Sequence, residues 1–323
     1  MRIAITGANG FVGSNLYKYF LAAGHEVSAL VRPTASSAQL PQSASLVKVD
    51  YSDPASLYQA LSGCDALIHN AGKTKALNYS EMLKANLGIT QHIVQAVNSL
   101  DHRIHLLYLS SQAVAGPSIK GKLLSESDSP HPITSYGKSK LEAEKHIQNS
   151  CRQPWTIIRP CSVYGCGDKD FLTLFRMVQR GLAVRLGRQE RPLNMIHVEQ
   201  MASFLELCIS NPAAYNQVFF ATDTQRYTQS EITSAIAQAM DKHPLQIVLP
   251  EYLVRLAFIS GDLIGRLLKR ETILNREKMK EILADGWLAD PAKARELLGW
   301  QPQPNLTANI RNTALCYKKL GWL

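Results

Sequence analysis

Tyr136 and Lys140 stand four residues apart in the segment S-Y-G-K-S-K. On a helix that interval puts both side chains on one face. An ammonium beside a phenol favours the phenolate, so such a pair can give or take a proton near neutral pH. Ser110 and Ser111 close the apolar run L-L-Y-L-S-S, which reads as a strand. A serine hydroxyl at the carboxyl end of a sheet strand can hold a ligand oxygen beside the tyrosine. Together the three side-chain types suit proton exchange with a hydroxyl or carbonyl oxygen. Tyr–Lys pairs at this interval are common by chance, so the order of the surrounding elements must carry the reading.

Residues 6–13 read T-G-A-N-G-F-V-G, between an apolar strand at 2–6 and a helical pattern at 11–23. Gly7 admits a tight turn, Gly10 lets backbone approach a pyrophosphate, and Gly13 lets the helix lie close to the sheet. The helix N-terminus then offers free N–H groups and the positive end of its dipole to phosphate. Asn9, Phe11 and Val12 complete this loop. Strand patterns at 26–32, 45–49, 66–69, 104–110 and 156–160 alternate with helical patterns at 79–100 and 134–149. Such alternation predicts a parallel sheet covered on both faces, wound right-handedly. The expected fold class is α/β, a Rossmann-type doubly wound parallel sheet with a smaller mixed α/β C-terminal region. Residues 1–165 are expected to bind NAD(P), and the mostly helical residues 166–323, with some returning segments, to bind substrate. The second strand ends A-L-V-R, without a carboxylate to hold a ribose 2′-hydroxyl. Arg32 is placed there to meet a 2′-phosphate. NADP(H) is therefore preferred, with NAD(H) left open.

Length and composition set outer limits. The 323 residues are 46% hydrophobic and 19% charged. A fold of about 300 residues buries roughly 75% of its unfolded surface and needs no disulfide or metal staple. The net charge of +9 is spread along the chain, with no run of five like charges. That speaks against a nucleic-acid arm. The six cysteines, Cys64, Cys151, Cys161, Cys166, Cys208 and Cys316, form no CxxC and read as reduced thiols, with no metal site expected. Met1 runs straight into the first strand with no leader pattern, and no apolar run is long enough to span a bilayer, so a cytoplasmic protein is expected. Within residues 252–270, Leu253, Leu256, Ala257, Ile264, Leu267 and Leu268 form an apolar stripe flanked by Arg255, Arg266, Lys269 and Arg270. A basic amphipathic helix can lie on a membrane surface. Packing of the stripe against its own domain is the expectation here.

The glycine loop, the Ser-ended strand and the Tyr–Lys helix come in an order that resembles the extended short-chain dehydrogenase/reductase family, also called the NAD-dependent epimerase/dehydratase family. The likeness extends to V-D-Y-S-D at 49–53, I-H-N-A-G at 68–72, N-L-G-I-T at 86–90, L-S-S-Q-A-V-A-G at 109–116 and I-R-P-C-S-V-Y-G at 158–165. L-L-G-W-Q-P at 297–302 continues it. The resemblance implies that Tyr136 is the acid/base, that Lys140 binds the nicotinamide ribose and tunes Tyr136, and that Ser111 is the catalytic serine. It places Asp50 and Tyr51 by the adenine, Ala71 and Gly72 along the cofactor, Asn86 in support, and Pro160 and Val163 near the nicotinamide. It also makes a small-molecule substrate, and compatibly a homodimer, the expected partners.

Departures from the family narrow the chemistry. Sugar dehydratases carry T-D-E-V-Y-G at the serine segment, whereas here Ser111 is followed by Gln112 and Ala113, so both carboxyl groups are missing. Sugar-nucleotide members carry an arginine where alignment on H-V-E-Q at 197–200 places Leu193. Arg191 stands two residues away, and Arg185 and Arg188 are further anion contacts to weigh against ordinary solvated roles. A-G-K-T-K at 71–75 and V-A-G-P at 114–117 look closer to the 3β-hydroxysteroid dehydrogenase-like and dihydroflavonol reductase-like branch. Lys73, Thr74, Gln112, Phe171 and His197 are the candidate substrate contacts. Three functions compete: an oxidoreductase on a carbonyl/secondary-alcohol pair, an epimerase that keeps its cofactor, and a cofactor-binding regulatory protein without turnover.

Overall fold

In the computed structural model, residues 1–119, 121–267 and 275–323 are described. The first half alternates β1 (Arg2–Thr6), α1 (Phe11–Ala22), β2 (Glu26–Val31), β3 (Ser45–Lys48), α2 (Pro54–Leu61) and β4 (Ala66–His69). It continues with α3 (Tyr79–Leu83), α4 (Ile89–Asn98), β5 (His105–Leu109), α5 (Ser135–Ser150) and β6 (Trp155–Pro160). Then follow β7 (Ser162–Tyr164), α6 (Lys169–Gln179), β8 (Leu182–Leu186), β9 (Met195–His197), α7 (Val198–Cys208) and β10 (Gln217–Ala221). The chain closes with α8 (Gln229–Ala239), β11 (Leu245–Leu249), α9 (Glu251–Leu267), α10 (Arg276–Ile282), α11 (Ala292–Leu298) and α12 (Leu306–Lys319).

Seven strands form one parallel sheet in the order β10-β6-β5-β4-β1-β2-β3. This is the doubly wound arrangement that the alternation predicts. Side chains alternate across the sheet because successive Cβ atoms point to opposite faces. Ile3 and Ile5 of β1 join α1 and α7 in one core, with Leu16, Phe20 and Phe204. Ala4, between them, joins Leu57, Ile93, Val97 and Ile147 in the other. A third core of Tyr164, Phe175, Ile236, Ile310 and Tyr317 lies in the C-terminal half. The sheet's outer strand β10 pairs with β6 from Gln217↔Thr156 to Ala221↔Pro160, so residues beyond 165 complete the dinucleotide-type sheet.

Several expectations change. The pattern at 79–100 reads as one helix, but a π-helical turn at Lys84–Gly88 separates α3 from α4. Cys166 and Cys316 are joined as a disulfide, correcting the reading of six reduced thiols. Packing of α12 beside the segment after β7 brings two Cα atoms 150 positions apart to 5.6 Å. That meeting leaves no spacing signal in the sequence. The apolar stripe expected to pack inward on α9 instead faces out: Leu253, Leu256, Ala257 and Ile264 are exposed, while Val254 and Phe258 are buried. Within 252–270, the side chains of Arg266 and Leu267, and residues 268–270, lie outside those described.

Buried His105 ties β5 to β6 and to the chain before β10. Its Nδ1 accepts from the Ser210 N–H at 3.1 Å, so Nε2 carries the proton shared with Thr156 Oγ1 at 2.8 Å. Thr156 donates in turn to the Ala214 carbonyl. Burial, reinforced by Arg103, lowers the His105 pKa to about 4. The unfolded chain therefore binds a proton that the folded chain refuses between pH 6.5 and about 4, and stability falls with acidification across that window. The loss attributable to this residue is roughly 3 kcal/mol at the acid end. Urea titrations of wild type and His105→Gln at pH 7 and pH 4.5 should show a smaller acid loss in the variant; an equal loss would refute the assignment.

Candidate active site

The sheet order reverses between β1 and β4, and both strands end in a crevice at their carboxyl edge. The turn after β1 carries the glycines. Gly7 has φ +64, and a Cβ there would stand 3.0 Å from the Ala71 Cα. A Cβ on Gly13 would come under 3.0 Å from the Gly7 carbonyl oxygen, so only glycine lets α1 close against the loop. Gly10 is the N-cap of α1, with no side-chain cap and no acidic residue in the first turn. Its free N–H groups and dipole suit a pyrophosphate. Asn9 braces the loop by donating to the Ser36 carbonyl at 3.0 Å. Phe11 and Val12 are half-buried at the start of α1.

The second wall follows β4. Thr6 Oγ1 accepts from the N–H groups of Asn70 and Ala71, both at 3.0 Å, and therefore donates to His69 Nδ1. His69 Nε2 then donates to Thr90 Oγ1, which donates to the Asn86 carbonyl. Burial, together with Lys140, holds the His69 pKa well below its usual value, so this relay is neutral. Asn86 lies in the π-helical turn, a feature often found at functional sites. Its Oδ1 accepts from the Lys73 N–H at 2.9 Å, and its Nδ2 donates to the Lys73 carbonyl and to Ser139 Oγ. Asn86 thus clamps the 71–73 backbone to α5. A Cβ on Gly72 would run into Asn86 Oδ1, with Lys140 Nζ 3.6 Å away.

The third wall is α5 against the turn after β5. Thr134 Oγ1 caps α5 by accepting from the Gly137 N–H. A Cβ on Gly137 would come under 3.0 Å from the Ala113 carbonyl oxygen, so glycine lets the helix meet the 112–114 turn. This sets the half-buried Tyr136 beside Ser111. Burial raises the Tyr136 pKa to about 12; the Ser111 hydroxyl opposes the shift and Glu281 adds to it. Tyr136 is therefore a neutral phenol, whereas the Tyr–Lys pattern alone favours phenolate. Lys140 Nζ donates to the Leu109 carbonyl at 2.8 Å and lies 4.7 Å from the Tyr108 ring centroid. Burial lowers the Lys140 pKa to about 8 against the pull of Glu144.

Two buried residues here escape sequence reasoning. Glu144, one turn beyond Lys140, accepts from Arg159 Nε at 3.0 Å and Nη2 at 2.7 Å. It also accepts from Ser110 Oγ. The two serines thus separate: Ser110 faces this ion pair and Ser111 faces Tyr136. The only available signal was the four-residue interval after Lys140.

The remaining candidates scatter. Arg32 is exposed beyond β2, near Tyr51. Tyr51 is a buried brace, donating to the Leu30 carbonyl at 2.7 Å and accepting from the Gly7 N–H at 3.4 Å. Asp50 is exposed and accepts from Ser52 N–H and Oγ. Pro160 ends β6, and Val163 packs on the first core. Gln112 is buried with no partner for Nε2, leaving a donor for a ligand. Lys73 and Thr74 are exposed. Phe171 and His197 both pack on Tyr164, at 5.3 Å between centroids. Burial keeps the His197 pKa low against the pull of Glu199.

The matched region in the comparison with known families runs over residues 3–219 and is that of the NAD dependent epimerase/dehydratase family. The chain belongs to this family. It is 27% identical over 330 residues to a UDP-glucose 4-epimerase of Vibrio cholerae, covering 98% of this chain and 95% of that protein. It is 26% identical over 324 residues to a ceramide reductase of Caulobacter vibrioides, covering 99% and 96%. The fold matches a Thermus thermophilus UDP-glucose 4-epimerase in complex with NAD, with TM-score 0.77, 20% identity and coverage of 98% and 99%. The protein is thus an enzyme of an NAD(P)-dependent epimerase and oxidoreductase family.

Against that background the missing arginine gains weight. Leu193 packs on the third core, and its backbone bonds with Tyr227 in both directions. Arg191 is engaged by Glu251 and by the Gln189 carbonyl, and Arg185 by Glu190. Arg185 Nε is buried without a partner, and Arg188 is exposed, so these two side chains keep donors that could meet an anion.

Proposed function

We propose that the enzyme is an NADP(H)-preferring oxidoreductase that interconverts a carbonyl and a secondary alcohol on a largely apolar small molecule. The observation that carries this reading is the meeting of Tyr136, Ser111 and Lys140 at the sheet's carboxyl edge, beside an uncapped glycine loop. Bound nicotinamide supplies the hydride acceptor or donor for the carbinol carbon. Gly7, Gly10 and Gly13 would hold its pyrophosphate, and Ala71, Gly72 and Lys140 would line its path. Ser111 orients the substrate oxygen, and Tyr136 gives that oxygen a proton on reduction or takes one on oxidation. The neutral phenol suits the reductive direction, because its proton is present across the physiological range. Residues 1–165, with β10, would form the cofactor half and the rest of 166–323 the substrate half.

The whole-length likeness to a UDP-glucose 4-epimerase keeps an epimerase as the second reading. The two differ in net redox change. Purified enzyme mixed with NADPH and a panel of ketones with apolar substituents should oxidise the nicotinamide in proportion to alcohol formed. Conversion of a nucleotide sugar without net nicotinamide change would instead establish the epimerase. Arg32→Ala should raise the KM for NADPH about tenfold or more, with little change for NADH, because a charge-assisted bond to the 2′-phosphate is lost. Equal effects on both cofactors would remove Arg32 from that role.

A further inference from the structure

Helix α9 is apolar on two opposite faces. Val254 and Phe258 point inward, at 2% and 5% exposure. On the far side Tyr252, Leu256, Ile259 and Leu263, at intervals of four, three and four residues, form an exposed stripe, with Leu253 and Ile264 beside it. Leu245 and Val248 of β11 are exposed just before it. Single exposed leucines are ordinary, but eight large apolar side chains within 20 consecutive positions make a patch. A helix that serves only its own domain turns a polar face to water.

The charges around this patch are sorted by sign. Arg255, Arg276, Lys278 and Lys280 are exposed. The acidic side chains described in the same stretch are half-buried and engaged. Glu251 pairs with Arg191 and, at 3.6 Å, with the outward-lying Arg255; Asp262 pairs with Arg276 at 3.4 Å, and Glu281 with Lys278 at 2.9 Å. Glu277 accepts from the Ser135 N–H and Oγ. Arg255 and Asp262 lie two turns apart on one edge of the stripe, so Arg276, bonded to Asp262, extends the cationic edge beside Arg255. No described helix is long and apolar enough to cross a membrane.

We propose that the exposed face of α9 docks the protein on an anionic lipid surface, lying in the interface with its leucines inserted and its basic edge against the headgroups. An apolar stripe with a cationic border is the pattern that such a surface selects. A second copy seated on the same stripe would set these basic borders against each other, which like charge opposes. The packing of α10 on α9, and the hold of Glu277 on Ser135, place this face one helix away from the residue preceding Tyr136. The inference goes beyond the proposed reaction and does not depend on it.

Its test reads binding without activity. Full-length protein is pelleted with vesicles of phosphatidylcholine and phosphatidylglycerol in equal parts, and with vesicles of phosphatidylcholine alone. Most of the protein should pellet with the mixed vesicles, and affinity should fall about tenfold on the neutral ones. Leu256→Asp combined with Leu263→Asp should weaken binding to the mixed vesicles by about tenfold or more. Both side chains are exposed, so melting temperature and NADPH affinity should match wild type and report intact folding. Failure of wild type to pellet with the mixed vesicles, or equal pelleting of the double variant, would overturn the proposal. So would a lipid-free dimer, seen by sedimentation equilibrium, that the double variant converts to monomer, since that would assign the face to a second copy.

Discussion

Replacing Tyr136 with Phe is expected to lower kcat/KM by about 10² to 10⁴, the usual contribution of a positioned acid/base, while NADPH affinity stays close to wild type. The substitution removes one hydroxyl and keeps the ring that packs at the N-terminal turn of α5. Ser111 would lose its phenolic neighbour but keep its role in capping the turn at 112–114, where its Oγ accepts from the Ala113 N–H at 3.1 Å. The glycine loop and the Asn86 clamp lie on other elements and are untouched. Steady-state kinetics with a fluorescence titration of NADPH separates the two effects. Near-normal turnover in Tyr136→Phe would exclude the phenol as the proton donor, whatever the substrate.

The second large effect is on stability. Glu144→Ala should destabilise the fold by about 3–5 kcal/mol, because it strands a buried guanidinium. Arg159 is 4% exposed, its Nη1 already has no partner, and its other donors go to Glu144. Ser110 loses its acceptor at the same time. Removing both charges, as Glu144→Met with Arg159→Met, should recover much of the loss, since desolvating an ion pair offsets most of its attraction. Urea unfolding of the two single variants and the double variant supplies the cycle. A loss under about 1 kcal/mol in Glu144→Ala, the size of an ordinary surface change, would show that this pair does not hold α5 to β6.

This pair also shows where local pattern stops being informative. Glu144 falls on the face of Tyr136 and Lys140 by helical spacing, but nothing in the spacing says that Arg159 of β6 completes it. Asn86 is similar. Its segment has helical periodicity, and only the packing of the 71–73 backbone explains the wider turn there. Tyr51, expected by the adenine, also ties the glycine loop to β2 through its hydroxyl at Gly7 and Leu30, a link that no spacing announces. The two apolar faces of α9 mislead in the other direction. Periodicity finds a stripe at 253, 256, 257 and 264, but the core takes the opposite face through Val254 and Phe258.

What the sequence by itself determined is what short range dictates. Alternating apolar runs specify the strands and helices of the parallel sheet. Glycines at 7 and 13 specify a turn where a Cβ would collide with backbone, and the Tyr136–Lys140 interval specifies one helical face. What only the tertiary structure decided is which distant groups meet. These are Ser110 with Glu144, Glu144 with Arg159, Cys166 with Cys316, β10 returning beside β6, and α10 set over the start of α5. Each joins segments that are brought together by burying apolar surface. That force is non-directional and leaves no period in the chain from which the partner can be read.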